Sequence, residues 1–280
     1  MKRLNRNNKS FLILAVIHTS LLIAAFIRSN DRKRSFISLM SDIGFAYLFE
    51  YIVLNLFNAY KYKPKILRNN YLDNILGAIL SQAIFVPFTS QFIRTFKLGW
   101  VGKLFFIVYF YLVEQYFIQT KVYSTLWWKS YFTSFFLPVF YNLSDYWKNH
   151  LEKGTRFILF ISLFLSILVT GVNILYVMAV VRKFRFGLGK IHSWKEHFIL
   201  APLYSILLSL LSAITVKKGG LIPKGVFLVF ASFLDWVIHE TKVVKKRFHV
   251  STLNIFIHCL MLYISTLFKN LIYSENNQQS

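Results

Sequence analysis

Four carboxylic acids are the most deeply placed inside long apolar stretches of this chain: Asp42, Glu50, Glu114 and Asp235. An acid at the middle of a membrane helix costs about 2.5–3.5 kcal/mol on insertion scales, so each needs a partner or a task. An unpaired carboxylate taken out of water requires a proton or a counter-charge, and the chemistry open to these groups is proton exchange or cation binding along an intramembrane polar pathway. The architectural alternative is that they hydrogen-bond or ion-pair between helices and fix packing. On a helix, eleven positions advance about 1100°, so Lys103 shares a face with Glu114, and Lys224 with Asp235. Asp42 and Glu50 lie eight positions apart, about 80° round a helix and 12 Å along it, compatible with one polar seam. Asn55, Asn74, Gln82, Gln115, Asn173 and His239 are available as partners.

Other residue types point to little chemistry. His18 and His258 are single imidazoles among apolar neighbours, which suits one interhelical hydrogen bond each better than a metal site. Pro87, Pro138 and Pro202 fall within apolar spans, where each removes a backbone hydrogen bond and can kink the helix. Cys259 is the only cysteine, so no intrachain disulfide or cysteine-based zinc site is available. The stretch GLGK (187 to 190) lacks P-loop spacing, HETKV (239 to 243) lacks the second histidine of a zincin, and no Gly-rich dinucleotide turn occurs. Asp145 near His150 lies at headgroup depth but forms no recognisable lipid-hydrolysing constellation. The expectation is a protein with no catalytic, cofactor-binding or metal-binding residues.

The elements that must position the acids are membrane helices. Apolar stretches of about 20 residues recur nine times, at 11 to 27, 36 to 58, 72 to 93, 100 to 119, 127 to 147, 157 to 181, 198 to 216, 221 to 240 and 251 to 270. Each must satisfy its backbone hydrogen bonds internally, so the fold class is all-α, a polytopic integral membrane helix bundle. With 56% hydrophobic residues and 19% aromatics, the solvent for this fold is lipid. The fifth stretch is the least hydrophobic. It is bracketed by Trp127 and Trp147, about 30 Å apart on a helix, which suits an anchor at each bilayer face. Trp100, Trp128, Trp194 and Trp236 read as further interfacial anchors.

The net charge of +22 is carried in the short connections between spans, which suits anionic lipid headgroups and not nucleic acid. Nineteen basic residues fall on the N-terminal side of the alternating map against fourteen on the other, which favours a cytoplasmic N-terminus. The basic N-terminus and first span, with no small-x-small cleavage site, read as a retained signal anchor over 1 to 35.

Sliding the chain against itself by 121 residues lays GKLFFIVYFYLVEQYFIQTKVY (102 to 123) over PKGVFLVFASFLDWVIHETKVV (223 to 244). Lys103 meets Lys224, Glu114 meets Asp235, and Thr120-Lys121-Val122 meets Thr241-Lys242-Val243. The basic hairpins AYKYKPK (59 to 65) and VVRKFRF (180 to 186) also fall near one another. This pattern suggests a leading helix followed by two tandem four-helix membrane units, 36 to 150 and 151 to 272, and a polar tail from 273 to 280.

The segments FEYIVLNLFNAYKYKPKILRNNYLDNILGAI (49 to 79) and VEQYFIQTKVYSTLWWKSYFTSFFLPVF (113 to 140) carry a resemblance. Over about 45 to 148 the chain resembles uncharacterised small multi-pass membrane proteins of endospore-forming Gram-positive bacteria. That group lends no activity; the resemblance implies only a setting, the cytoplasmic membrane of such a bacterium. Abundant Asn, Lys, Ile, Phe and Tyr agrees with an AT-rich genome. The function expected from sequence is a non-enzymatic accessory or structural component acting through helix contacts with another membrane protein. The alternative is a proton- or cation-coupled small-solute transporter using Asp42, Glu50, Glu114 and Asp235. The two are separated by whether those acids converge on one cavity or scatter onto separate helix pairs.

Overall fold

A computed structural model describes residues 5 to 182, 184 to 188, 191 to 246 and 251 to 274. Lys2, Arg3, Lys183, the second half of the GLGK stretch and the tail from 275 lie outside the described residues. Nine helical rods make up the described chain: α1 Arg6–Arg28, α2 Arg32–Leu56, α3 Asn70–Thr95, α4 Gly99–Gln119, α5 Ser130–Glu152, α6 Arg156–Val180, α7 Trp194–Lys218, α8 Leu221–Glu240 and α9 Ser251–Tyr273. Eight of them, all but α5, are long and apolar enough to cross a membrane. In α5 the polar groups of Asn142, Asp145, Lys148 and Glu152 dilute the apolar run. The protein is an all-α, multi-pass membrane protein.

Local chemistry sets the helix ends. Asn5, Asp31 and Asn69 cap α1, α2 and α3 by accepting backbone N–H bonds, and Ser193 with Glu196 closes a reciprocal capping box on α7. Helix α7 stops at Gly219 and Gly220, whose φ angles of 75° and 79° are open to glycine at no steric cost. Two rods contain π-helical turns, Tyr51–Leu56 at the end of α2 and Leu80–Phe85 in the middle of α3. The second directly precedes Pro87, whose missing N–H and bulky ring an ordinary α-turn accommodates poorly.

The chain divides into two compact units, Met1–Lys153 and Gly154–Ser280. The leading helix α1 belongs to the first: Asn7 Nδ2 donates to Lys63 O at 2.6 Å and Arg6 Nη2 to Thr120 O at 2.7 Å. Each unit contains a two-stranded antiparallel sheet that the hydropathy pattern did not announce. In the first, β1 (Tyr60–Tyr62) pairs with β2 (Tyr123–Thr125); in the second, β3 (Phe184–Phe186) pairs with β4 (Val244–Lys246). After α1, the first unit therefore runs helix, strand, helix, helix, strand, helix, and the second unit runs the same way.

The likeness extends to single bonds. Helix α4 ends with Lys121 at φ 59°, its N–H donating to Ile118 O at 3.0 Å and that of Val122 to Phe117 O at 2.9 Å. Helix α8 ends with Lys242 at φ 55°, its N–H donating to His239 O at 3.0 Å and that of Val243 to Ile238 O at 3.0 Å. The freed carbonyls then receive the partner strand: Lys63 N donates to Val122 O at 2.9 Å, and Gly187 N to Val243 O at 2.8 Å. Threonines 120 and 241 each return a hydroxyl to the carbonyl four residues back, both at 2.7 Å.

Candidate intramembrane site

The first unit contains a cavity of about 290 Å³. Helices α1 to α5 and both strands contribute to its wall, which is dominated by aromatic rings. At one end Tyr60, Tyr62, Tyr123 and Trp128 cluster, with ring centroids 5.1–5.5 Å apart. The strand pair brings the three tyrosines together, and Gly77 makes room for Tyr62: a Cβ there would overlap the Tyr62 side chain. Asp73 holds the intervening loop by accepting the N–H groups of Lys65, Ile66 and Leu67, each at 2.8 Å. Asn74 accepts from the N–H of Tyr62 at 2.7 Å.

Two of the four candidate acids converge at this end. Glu50 Oε2 accepts from Tyr60 Oη at 2.6 Å and from Gln82 Nε2 at 2.9 Å. Glu114 lines the cavity, is 8% exposed, and neither carboxylate oxygen has a hydrogen bond of standard geometry, although the hydroxyls of Thr133 and Ser130 lie alongside. Both carboxylates act electrostatically on Tyr62 and Tyr123. The phenols of Tyr60, Tyr62 and Tyr123 are held well above the usual tyrosine range, first by burial; Glu50 adds most to this at Tyr60 and Tyr62, and Tyr62 at Tyr123. The π-turn of α2 begins beside Glu50 and that of α3 carries Ser81, Gln82 and Phe85, so both irregular turns border the site.

Asp42 lies elsewhere. It is fully buried, 3.2 Å from Arg94 Nη2 and 2.8 Å from Ser144 Oγ, and ties α2, α3 and α5 together; Arg94 also bonds Gln91 and Ser144. The seam that eight-residue spacing suggested for Asp42 and Glu50 is thus split between an ion pair and the cavity. Nor does Lys103 reach Glu114. It pairs with Asp145 at 2.6 Å and Asn142 at 2.7 Å, since eleven residues separate the two by about 16 Å along the axis.

Asp235 lines a smaller cavity of about 70 Å³ in the second unit. Its carboxylate accepts from Tyr204 Oη at 2.6 Å, Asn254 Nδ2 at 2.5 Å and His258 Nε2 at 3.0 Å. Glu114 and Asp235 therefore occupy matching helices, α4 and α8, in opposite chemical states: one open, the other saturated.

Among the partners considered from sequence, Gln82 alone reaches a candidate acid by a hydrogen bond. Gln115 donates to Ser130, Asn173 to its own helix, and His239 lies exposed beside Glu240. The residues that sequence missed are Tyr60, Arg94, Tyr204 and Asn254. The first and last two are ordinary polar side chains at helix or strand positions, and Arg94 falls just past the apolar stretch that ends at 93, although the helix runs on to Thr95. His258 makes the single interhelical bond expected of it, whereas His18 bonds Leu14 O in its own helix at 2.6 Å. Trp147 is buried against Phe45 with ring centroids 4.6 Å apart, so it packs the bundle and does not anchor it at an interface. Trp127 and Trp128 precede α5, which begins at Ser130. Among the described residues no group of three or more His, Cys, Asp or Glu could hold a metal ion. No protein family, curated protein or solved structure matches the chain.

Proposed function

We propose that the protein is a coupled small-solute transporter of the cytoplasmic membrane, in which a proton exchanges with solute at Glu114 in the cavity of the first unit. The observation that carries this reading is the Glu114 carboxylate itself, buried, without a hydrogen bond of standard geometry, and facing a cavity of about 290 Å³. A charge in that position is costly unless a proton or a cationic solute meets it, and that alternation is the elementary step of exchange. Glu50, already holding two donors, supports the same end of the cavity. Asp42 and Asp235 serve architecture, because each is tied to donors on other helices, Arg94 and Ser144 for Asp42 and Tyr204, Asn254 and His258 for Asp235.

The test is proteoliposomes carrying a pH-sensitive dye, screened for solute-driven proton movement. Glu114→Gln should abolish that movement and Asp235→Asn should spare it in whatever protein folds. A demonstrated flux that ignores Glu114→Gln removes this residue from the pathway.

A second reading, an accessory component docking on another membrane protein, is favoured by α8. That helix buries only Phe227 and Ala231 and exposes Val226, Val229, Phe233 and Trp236. Stoichiometric co-purification with a membrane partner, lost on Phe233→Ala with Trp236→Ala, would support it.

A further inference from the structure

The same cavity also defines what it can accept, an inference that rests on the reading of Glu114 above. Its lining contains one carboxylate, Glu114, and no Lys, Arg or His, in a chain whose net charge is +22. The electrostatic preference of the interior is therefore for a positive ligand. A bare metal ion is poorly served: hard cations take six or more oxygen ligands, and here the oxygens beside Glu114 are a few hydroxyls among rings. A cavity volume of about 290 Å³ approaches that of pockets that hold small organic molecules. Aromatic faces attract organic cations through their quadrupole, and the attraction is stronger in a desolvated site. Phe136 and Val139 line the cavity and are also exposed on the outer side of α5, 37% and 53%, so the space reaches the surface of the bundle. A ligand with an apolar body has a route from that side.

We propose that the cavity takes a hydrophobic organic cation, an amine or quaternary ammonium with an aromatic or aliphatic body, its nitrogen held between Glu114 and the rings of Tyr62, Tyr123 and Trp128. The polar end then recognises charge, and the long aromatic wall recognises bulk.

The test uses a matched pair of probes, 4-phenylbutyltrimethylammonium and its neutral carbon isostere with a tert-butyl group in place of the trimethylammonium. Equilibrium binding is measured on the full chain in lipid nanodiscs. The cation should bind the wild type at least roughly tenfold more tightly than the isostere. Glu114→Gln should lose that discrimination while still binding the isostere, which shows that the cavity survives. Ala46→Phe, which places a ring in the cavity wall, should weaken both probes together. Equal binding of the two probes by the wild type overturns the ligand class and leaves Glu114 free to exchange protons for a neutral solute. Cation preference that survives in Glu114→Gln overturns the assigned site. Cation binding with the stated discrimination but no solute-driven proton flux upholds this inference and sinks the transport reading.

Discussion

Replacing each buried acid by its amide should produce a graded loss of stability whose order follows from the partners counted above. Asp42→Asn leaves Arg94, whose side chain is 7% exposed, as an uncompensated buried cation. Breaking one side of such a pair costs about 3–5 kcal/mol. Asp235→Asn keeps the shape but offers one acceptor oxygen where three donors converge. With the amide oxygen at the Oδ2 position one bond is lost, that of Tyr204, and at the Oδ1 position two, each worth roughly 0.6 kcal/mol in a membrane interior and up to about 1.7, for a total of about 0.6–3 kcal/mol. Glu114→Gln breaks no hydrogen bond of standard geometry and removes an ionisable group from a buried position, so it should cost the least of the three. The assay is unfolding by sodium dodecyl sulfate in mixed micelles, followed by circular dichroism, with the midpoints ranked across the three variants. A Glu114→Gln variant as unstable as Asp42→Asn would refute the reasoning, because it would mean that Glu114 holds the bundle together.

Three further outcomes are expected. Raising the pH above about 10 should unfold the first unit, because Tyr60, Tyr62 and Tyr123 ionise near that value in the unfolded chain but only at higher pH when folded. Their contribution is fully present below the unfolded value and is lost as pH rises toward the folded ones, at up to about 4 kcal/mol per pH unit for three groups; absorbance at 295 nm should jump with unfolding and not climb gradually. Gly77→Ala forces a Cβ into Tyr62 and should cost about 1–3 kcal/mol, read as a lower thermal midpoint. Lys121→Gly and Lys242→Gly relieve a left-handed residue in matching turns, so both should be neutral to stabilising by up to about 1 kcal/mol; opposite signs would count against a common turn geometry.

Hydropathy located eight of the nine described helices, because a run of apolar residues long enough for a bilayer leaves few other structures open; the fifth needed its flanking tryptophans as well. The polar details were less visible. Strands of three residues such as Tyr60–Tyr62 are too short to show a period of two, and a π-turn has no residue signature. The offset of 121 residues paired Glu114 with Asp235 by register, but register says nothing about which helix face meets which neighbour. That is why the donors around Asp235, one on α7 and two on α9, were not legible, and why Lys103 was grouped with the wrong acid. Trp128 illustrates the same limit: an indole before a helix reads as an interfacial anchor, and here it packs among Tyr60, Phe49 and Phe136.

The strand pairs also set a timetable for synthesis. Lys61 pairs with Ser124 and Arg185 with Lys245, so in each unit the backbone partner of the first strand lies some 60 residues downstream. At about 5–20 residues per second, a ribosome needs roughly 3–12 s to supply it. During that interval α2, and later α6, must wait in the bilayer with a following strand whose N–H and C=O groups are unmatched. Each unit can lock only when the helix before its second strand, α4 or α8, and the turn after it have emerged, so assembly proceeds in two bursts, with the Glu114 cavity formed before most of the second unit has been translated.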